Sequence, residues 1–148
     1  MKLTAYAFVA RAVPKAQPRA RATSFGGKPR MWTPSTADSF KSAVSMSASM
    51  AIPRELTPIL DGFSLVAVFY LPRPKRLLTK KFISTIDIPM ISKPDIDNLV
   101  KAALDALVDA GVVRDDAPLW DLTARKYYAD AGEDPRAEFL LTANTETT

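Results

Sequence analysis

The sequence predicts a single α+β domain in which a small, mostly antiparallel sheet carries two main helices. Three observations predict it. The chain has 148 residues, the size of one ordinary domain with a real core. Two stretches, near 35–50 and 97–110, place apolar residues at helical spacing between recognisable stops. Four others, 3–13, 62–72, 119–129 and 137–143, have the alternating or continuous apolar character of strands.

Taken in order, residues 3–13 (LTAYAFVARAV) alternate and form the first strand. Residues 14–30 follow as a basic loop or arm, rich in proline, glycine and cations. Thr33-Pro34-Ser35-Thr36 marks a helix start, with Ser35 or Thr36 as the cap. That helix runs to about Met50 with Phe40, Val44 and Ala48 near four-residue spacing, and Pro53 and Pro58 end it. Residues 62–72 (GFSLVAVFYLP) are apolar enough for a central strand. Residues 73–93 combine prolines, many cations and no clean period, the composition of a mobile basic loop. The second helix covers 97–110, with Leu99, Ala103, Ala106, Leu107 and Ala110 on one face and Gly111 as its stop. Residues 119–129 and 137–143 then form a hairpin across the turn DAGEDP, and 144–148 are a tail.

The missing residue types narrow the chemistry. There is no cysteine, so disulfides, thiolate metal sites and cysteine nucleophiles are excluded. There is no histidine, which removes a Ser-His-Asp triad and a histidine-ligated zinc. Carboxylates, lysines and hydroxyls remain, and oxygen-only ligands suit hard cations. No stretch has the length of a membrane span or a signal peptide's apolar run, so a soluble, cytoplasmic protein is expected. Charge is unevenly spread. Residues 1–37 hold seven basic and no acidic residues, whereas 95–121 hold seven aspartates against Lys101 and Arg114. A basic chain with one acidic patch suits a polyanionic partner and a cation between them.

That patch opens at KPDIDNLVKAALDAL, residues 93–107. Pro94 suits a helix entrance, and one carboxylate there gains from the free N–H groups and the macrodipole. A second carboxylate two residues away has a weaker structural excuse, because Asp95 and Asp97 repel each other. In an extended or turn conformation both project to one side and can converge on a cation. Capping and metal binding both remain open on these residues alone. Lys101 lies one helical turn after Asp97, either as an i,i+4 ion pair or as an ammonium that steadies a phosphate. Arg114-Asp115-Asp116 follows the helix, which spans roughly 20 Å at 1.5 Å per residue, so a carboxylate there reaches the first pair only if the chain folds back.

KPDIDNLVKAALDAL followed by RDDAPLWDLTARKYY resembles the RusA family of Holliday junction resolvases, common in phages and prophages. The matching positions are Asp95, Asp97, Asn98, Leu99, Lys101, Asp105-Ala106-Leu107 and Asp115-Asp116. The likeness extends to VPKAQPRAR and VAVFYLPRPK, with Ala16-Gln17 where the family often has a glycine. It implies a homodimeric endonuclease that cuts four-way DNA junctions with Mg²⁺, Mn²⁺ being an alternative. Asp95, Asp97 and Asp116 would be the metal-binding and catalytic carboxylates, Asp115 the substitute for the third, and Lys101 the catalytic lysine. The resemblance further implies that the third aspartate reaches the first pair through the fold, or with help from the partner chain. No nucleotide cofactor and no membrane are expected, and the setting would be the cytoplasm of a bacterial host.

The phosphate backbone would be held by Lys15, Arg19, Arg21, Lys28, Arg30, Arg73, Lys75, Arg76, Lys80 and Lys81. Phe82 is the preferred stacking wedge at an opened junction, ahead of Phe25 and Trp32; Trp120 reads as core or dimer packing. Two rivals stand beside the nuclease. One is a non-catalytic branched-DNA-binding module, which would gain nothing from so many carboxylates. The other is a metal-dependent phosphohydrolase of small molecules, which would leave the basic segments idle.

Overall fold

The computed structural model describes residues 1–146, so Thr147 and Thr148 of the expected tail lie outside the described residues. Six strands and two helices follow one another: β1 (Leu3–Ala10), β2 (Arg21–Phe25), β3 (Lys28–Trp32), α1 (Asp38–Ala51), β4 (Phe63–Leu71), α2 (Ile96–Asp109), β5 (Leu119–Tyr128) and β6 (Arg136–Asn144). Strands β1, β6, β4 and β5 form one sheet in that order. Both helices cover one face of it, and the α+β class stands.

Strand β4 sits inside the sheet because its buried positions alternate without a break: Phe63, Leu65, Ala67, Phe69 and Leu71 all face the helices. Against them pack Phe40, Val44 and Ala48 of α1 and Leu99, Ala103, Ala106 and Leu107 of α2. The rings of Phe8 and Phe139 stack at 5.1 Å, and Phe69 meets Phe139 edge-on at 6.1 Å. Each such buried phenylalanine contributes about 1.5–3 kcal/mol over leaving it in water. Small residues let the helices approach, and the Ser45 hydroxyl donates to the Ala106 carbonyl across the gap at 2.8 Å.

Three expectations need correction. Residues 119–129 and 137–143 do not pair with each other. Strand β4 lies between them, antiparallel to β6 and parallel to β5, so the sheet is mixed. The turn after β5 thus steps over the end of β4, because the more apolar β4 takes the central place. Residues 14–30 are not all loop: β2 and β3 form a separate two-stranded hairpin, with Gly26 (φ 64°) and Gly27 (φ 78°) at its turn. Two consecutive residues with positive φ are what a tight hairpin turn demands. Helix α1 starts at Asp38 behind Ala37, and no side chain caps it; Ser35 instead accepts the Asp38 N–H through its backbone carbonyl.

The parallel β4–β5 pair fixes the direction of α2. The helix runs back between them, so its N-terminus lies at the carboxyl ends of both strands, and its C-terminus leads through Val113, bridged to Ile59, to their starts. No helix among the described residues is long and apolar enough to cross a membrane.

Candidate active site

The mouth of α2 is built by three strands of contact. Lys93 and Pro94 are joined by a cis peptide, and Asp95 follows in extended conformation at the N-cap position. From β5 the Lys126 ammonium reaches under this turn and donates to the carbonyls of Ser92 and Pro94, both at 2.6 Å. From the first crossing, the Gln17 backbone N–H donates to the Asn98 carbonyl at 3.0 Å. Lys126 pairs in register with buried Phe69, which places it on the helix-covered face of the sheet. A lysine at a core-facing strand position was the available sign of this residue, and sequence reasoning passed over it.

Asp95 occupies the capping position but does not cap: no side-chain hydrogen bond closes the first turn. Only its backbone carbonyl is used, accepting the Leu99 N–H at 3.2 Å. Asp97 stands in the first turn. Both carboxylates are exposed, and neither has a hydrogen bond or ion pair among the described residues. Lys101, one turn further, is exposed and likewise unpaired there, so the i,i+4 ion pair with Asp97 is not formed. Two free carboxylates and a free ammonium therefore share the carboxyl end of a parallel strand pair, where open sheets of this kind place their ligands.

Asp115 and Asp116 are elsewhere. They line a hollow with Lys41, Leu104, Asp105, Val108 and Asp109, at the C-terminal end of α2. Asp115 is committed locally, its Oδ1 accepting the Ala117 N–H at 2.8 Å. The Asp116 carboxylate has no such partner among the described residues. With a 14-residue helix between them, about 20 Å at 1.5 Å per residue, the two acidic groups do not meet within one chain. Among the described residues no group of three or more acidic side chains is gathered to hold a metal. The chain folds back along β5 to bring Lys126 to the helix mouth, but Asp116 precedes that strand and stays at its start, so of the two routes expected for the third aspartate the single chain does not provide the first.

The basic residues divide by role. Lys15 borders a hollow shared with Pro94 and Met90, close to the aspartates. Arg19, Arg21, Lys28 and Arg30 are exposed on or beside the β2–β3 hairpin, where Arg21 lies 5.9 Å from the ring centre of half-exposed Trp32. Arg73 is engaged inside its own loop. Its Nε donates to the Leu77 carbonyl (2.9 Å), one terminal nitrogen to Thr85 (3.0 Å) and the other to Phe82. Within segment 73–93, residues 77–85 are wound around this one guanidinium. Lys75, Arg76, Lys80 and Lys81 project from the segment into solvent, Arg76 also lying 5.9 Å from the Tyr128 ring centre. Phe82 is half-buried and serves as a carbonyl partner of Arg73 and a surface for Lys81. Trp120 is 72% exposed, which rules out the core reading.

The family profile described as endodeoxyribonuclease RusA matches residues 12–138. The chain belongs to the RusA endodeoxyribonuclease family. The match takes in the aspartate pair, Lys101, Asp115-Asp116, both helices and strands β2 to β5, and leaves out β1 and most of β6. The chain is also 33% identical over 132 residues to a protein named as uncharacterized, YqaN of Bacillus subtilis (strain 168), covering 86% of this chain and 89% of that one. RusA proteins are endodeoxyribonucleases associated with Holliday junction resolution in recombination, and the family binds branched DNA.

Proposed function

We propose that this member of the RusA family is a divalent-metal-dependent, structure-specific endonuclease that resolves four-way DNA junctions by paired symmetric nicks during recombination and repair. The observation that carries this reading is the pair Asp95 and Asp97, set at a helix mouth yet unused for capping and held there by Lys126. The donor set fits a hard cation, since it is all carboxylate in a chain without histidine or cysteine. Mg²⁺, or Mn²⁺ in its place, would be held by Asp95 and Asp97 with Asp116, and when bound it supplies Lewis-acid chemistry at the scissile phosphate.

One chain offers only two of these carboxylates at one place. The proposed enzyme is a homodimer in which the partner's Asp116 completes each site. Twofold symmetry also gives two sites for two strands of a symmetric junction. Lys101 neutralises charge that develops on the phosphate being cut. The hairpin cations and Lys75, Arg76, Lys80 and Lys81 hold the DNA backbone, with a steep salt dependence. Arg73 acts in DNA binding through the loop it organises.

The test is cleavage of a synthetic four-way junction against a matched linear duplex, with Mg²⁺ or with EDTA, for wild type and Asp97→Asn. Paired nicks confined to the junction, lost with EDTA and in the variant while binding persists, support the proposal. Binding without cleavage in the wild type would reduce the protein to a junction-binding module.

A further inference from the structure

A hollow of about 240 Å³ opens at the root of the β2–β3 hairpin. Gln17 and Pro18 line it where the chain enters the hairpin, Thr33 and Pro34 where it leaves, and Asp38 from the first turn of α1. Gln17 also borders the mouth of α2, since its backbone N–H donates to the Asn98 carbonyl at 3.0 Å. The hollow therefore lies between the hairpin, with Arg19 and Arg21 exposed at its base, and the turn that carries Asp95 and Asp97. One atom of this lining has no use in the fold. The side-chain Oε1 of Gln17 is buried and accepts no hydrogen bond among the described residues. A buried amide oxygen without a donor is costly, and native chains seldom keep one. Lys41 lines the same hollow, but its ammonium lies 3.7 Å from Asp109. The Asp38 carboxylate has no ion pair among the described residues.

Taking the nuclease reading above as the basis, we infer that this hollow receives one unstacked DNA base beside the cut, and that Gln17 selects a base with an exocyclic amino group. A strand held by the hairpin cations and cut at Asp95 and Asp97 has to cross the hairpin root. There it meets two kinds of surface. Pro18 and Pro34 supply rings against which the plane of a base can lie, and Gln17 Oε1 and the Asp38 carboxylate supply acceptors for its edge. Both acceptors call for N–H groups. Cytosine, adenine and guanine each bring an amino group with two. The pairing edge of thymine brings a single N–H between two carbonyl oxygens, which these acceptors repel. A base taken out of the stack is read in this manner, by its pairing edge and its faces. The contact acts on cutting more than on holding. Phosphate contacts dominate affinity, whereas a base fixed on Gln17 steadies, through the Asn98 carbonyl, the helix turn that bears Asp97.

The test measures single-turnover cleavage of four-way junctions in Mg²⁺. Bases flanking each cut are replaced one at a time by analogues that lack only the amino group: pyrimidin-2-one for cytosine, purine for adenine, hypoxanthine for guanine. At one fixed position the wild type is expected to lose about tenfold in rate, the effect of one hydrogen bond to a buried acceptor, with junction affinity changed by less than about twofold. Gln17→Leu removes the acceptor and keeps the backbone N–H that meets Asn98. It is expected to cut the ordinary and the amine-free junction at equal rates. Gln17→Glu keeps an acceptor and is expected to keep the penalty. No penalty at any position in the wild type, or the same penalty in Gln17→Leu, overturns the base site and leaves the nuclease standing. A wild type that binds junctions and cuts none overturns both. Should Gln17→Leu fail to fold, Thr33→Trp decides, because it fills the hollow from its exposed hairpin side. It is expected to abolish the penalty, and an undiminished penalty contradicts the site.

Discussion

At the residue scale, the question is what Asp95 and Asp97 are for. A capping aspartate replaced by a residue that cannot cap costs typically about 1 kcal/mol. Here no carboxylate closes the first turn, so Asp97→Asn is expected to change unfolding free energy by less than about 0.5 kcal/mol in a denaturant titration. The same variant should lose junction cleavage, which separates a ligand from a cap within one protein. Lys126 acts one step back, by fixing the turn that presents Asp95. Lys126→Met removes two charge-assisted hydrogen bonds and is expected to destabilise by about 1.5–3 kcal/mol. Its cleavage should fall about 10–100-fold, as for residues that orient metal ligands, with a higher Mg²⁺ requirement that a purely structural loss would not produce. The aspartates were legible in sequence because their spacing was odd for a cap. Lys126 was not, because its role depends on which side of β5 faces α2.

At the element scale, strands and helices were legible to within a few residues wherever the apolar period was strong. Helix 97–110 became Ile96–Asp109, and strand 62–72 became Phe63–Leu71. The β5–β6 hairpin was not legible, since a short turn reads locally as pairing and nothing local reveals that a third strand slips between. The β2–β3 hairpin was hidden by its cations and prolines, although the Gly26-Gly27 pair was its available signal. Loop 73–93 looked unstructured because its organiser is one arginine bonding to three distant carbonyls, a pattern without periodicity. Arg73→Ala is expected to raise amide exchange across residues 77–90 and to weaken junction binding more than Lys80→Ala does. Arg73→Lys should not rescue it, because an ammonium cannot span three carbonyls as a planar guanidinium does.

At the scale of the whole molecule, the separation of Asp95 and Asp97 from Asp116 governs the account. The sequence could place the three on or beside one helix and show that its length separates them. It could not say whether the chain folds back, because that depends on β5 running parallel to β4. A half-site in each chain means that cleavage depends on assembly, so activity per chain is expected to fall on dilution through the dimer dissociation range. The most direct test mixes two inactive proteins, Asp97→Asn and Asp116→Asn, unfolded and refolded together. If the site is shared, half of the mixed dimers' sites are doubly damaged and the other half are intact, so mixing restores single nicks to a four-way junction. If each chain builds its own site, every site carries one defect, and no cleavage returns although both variants still bind the junction.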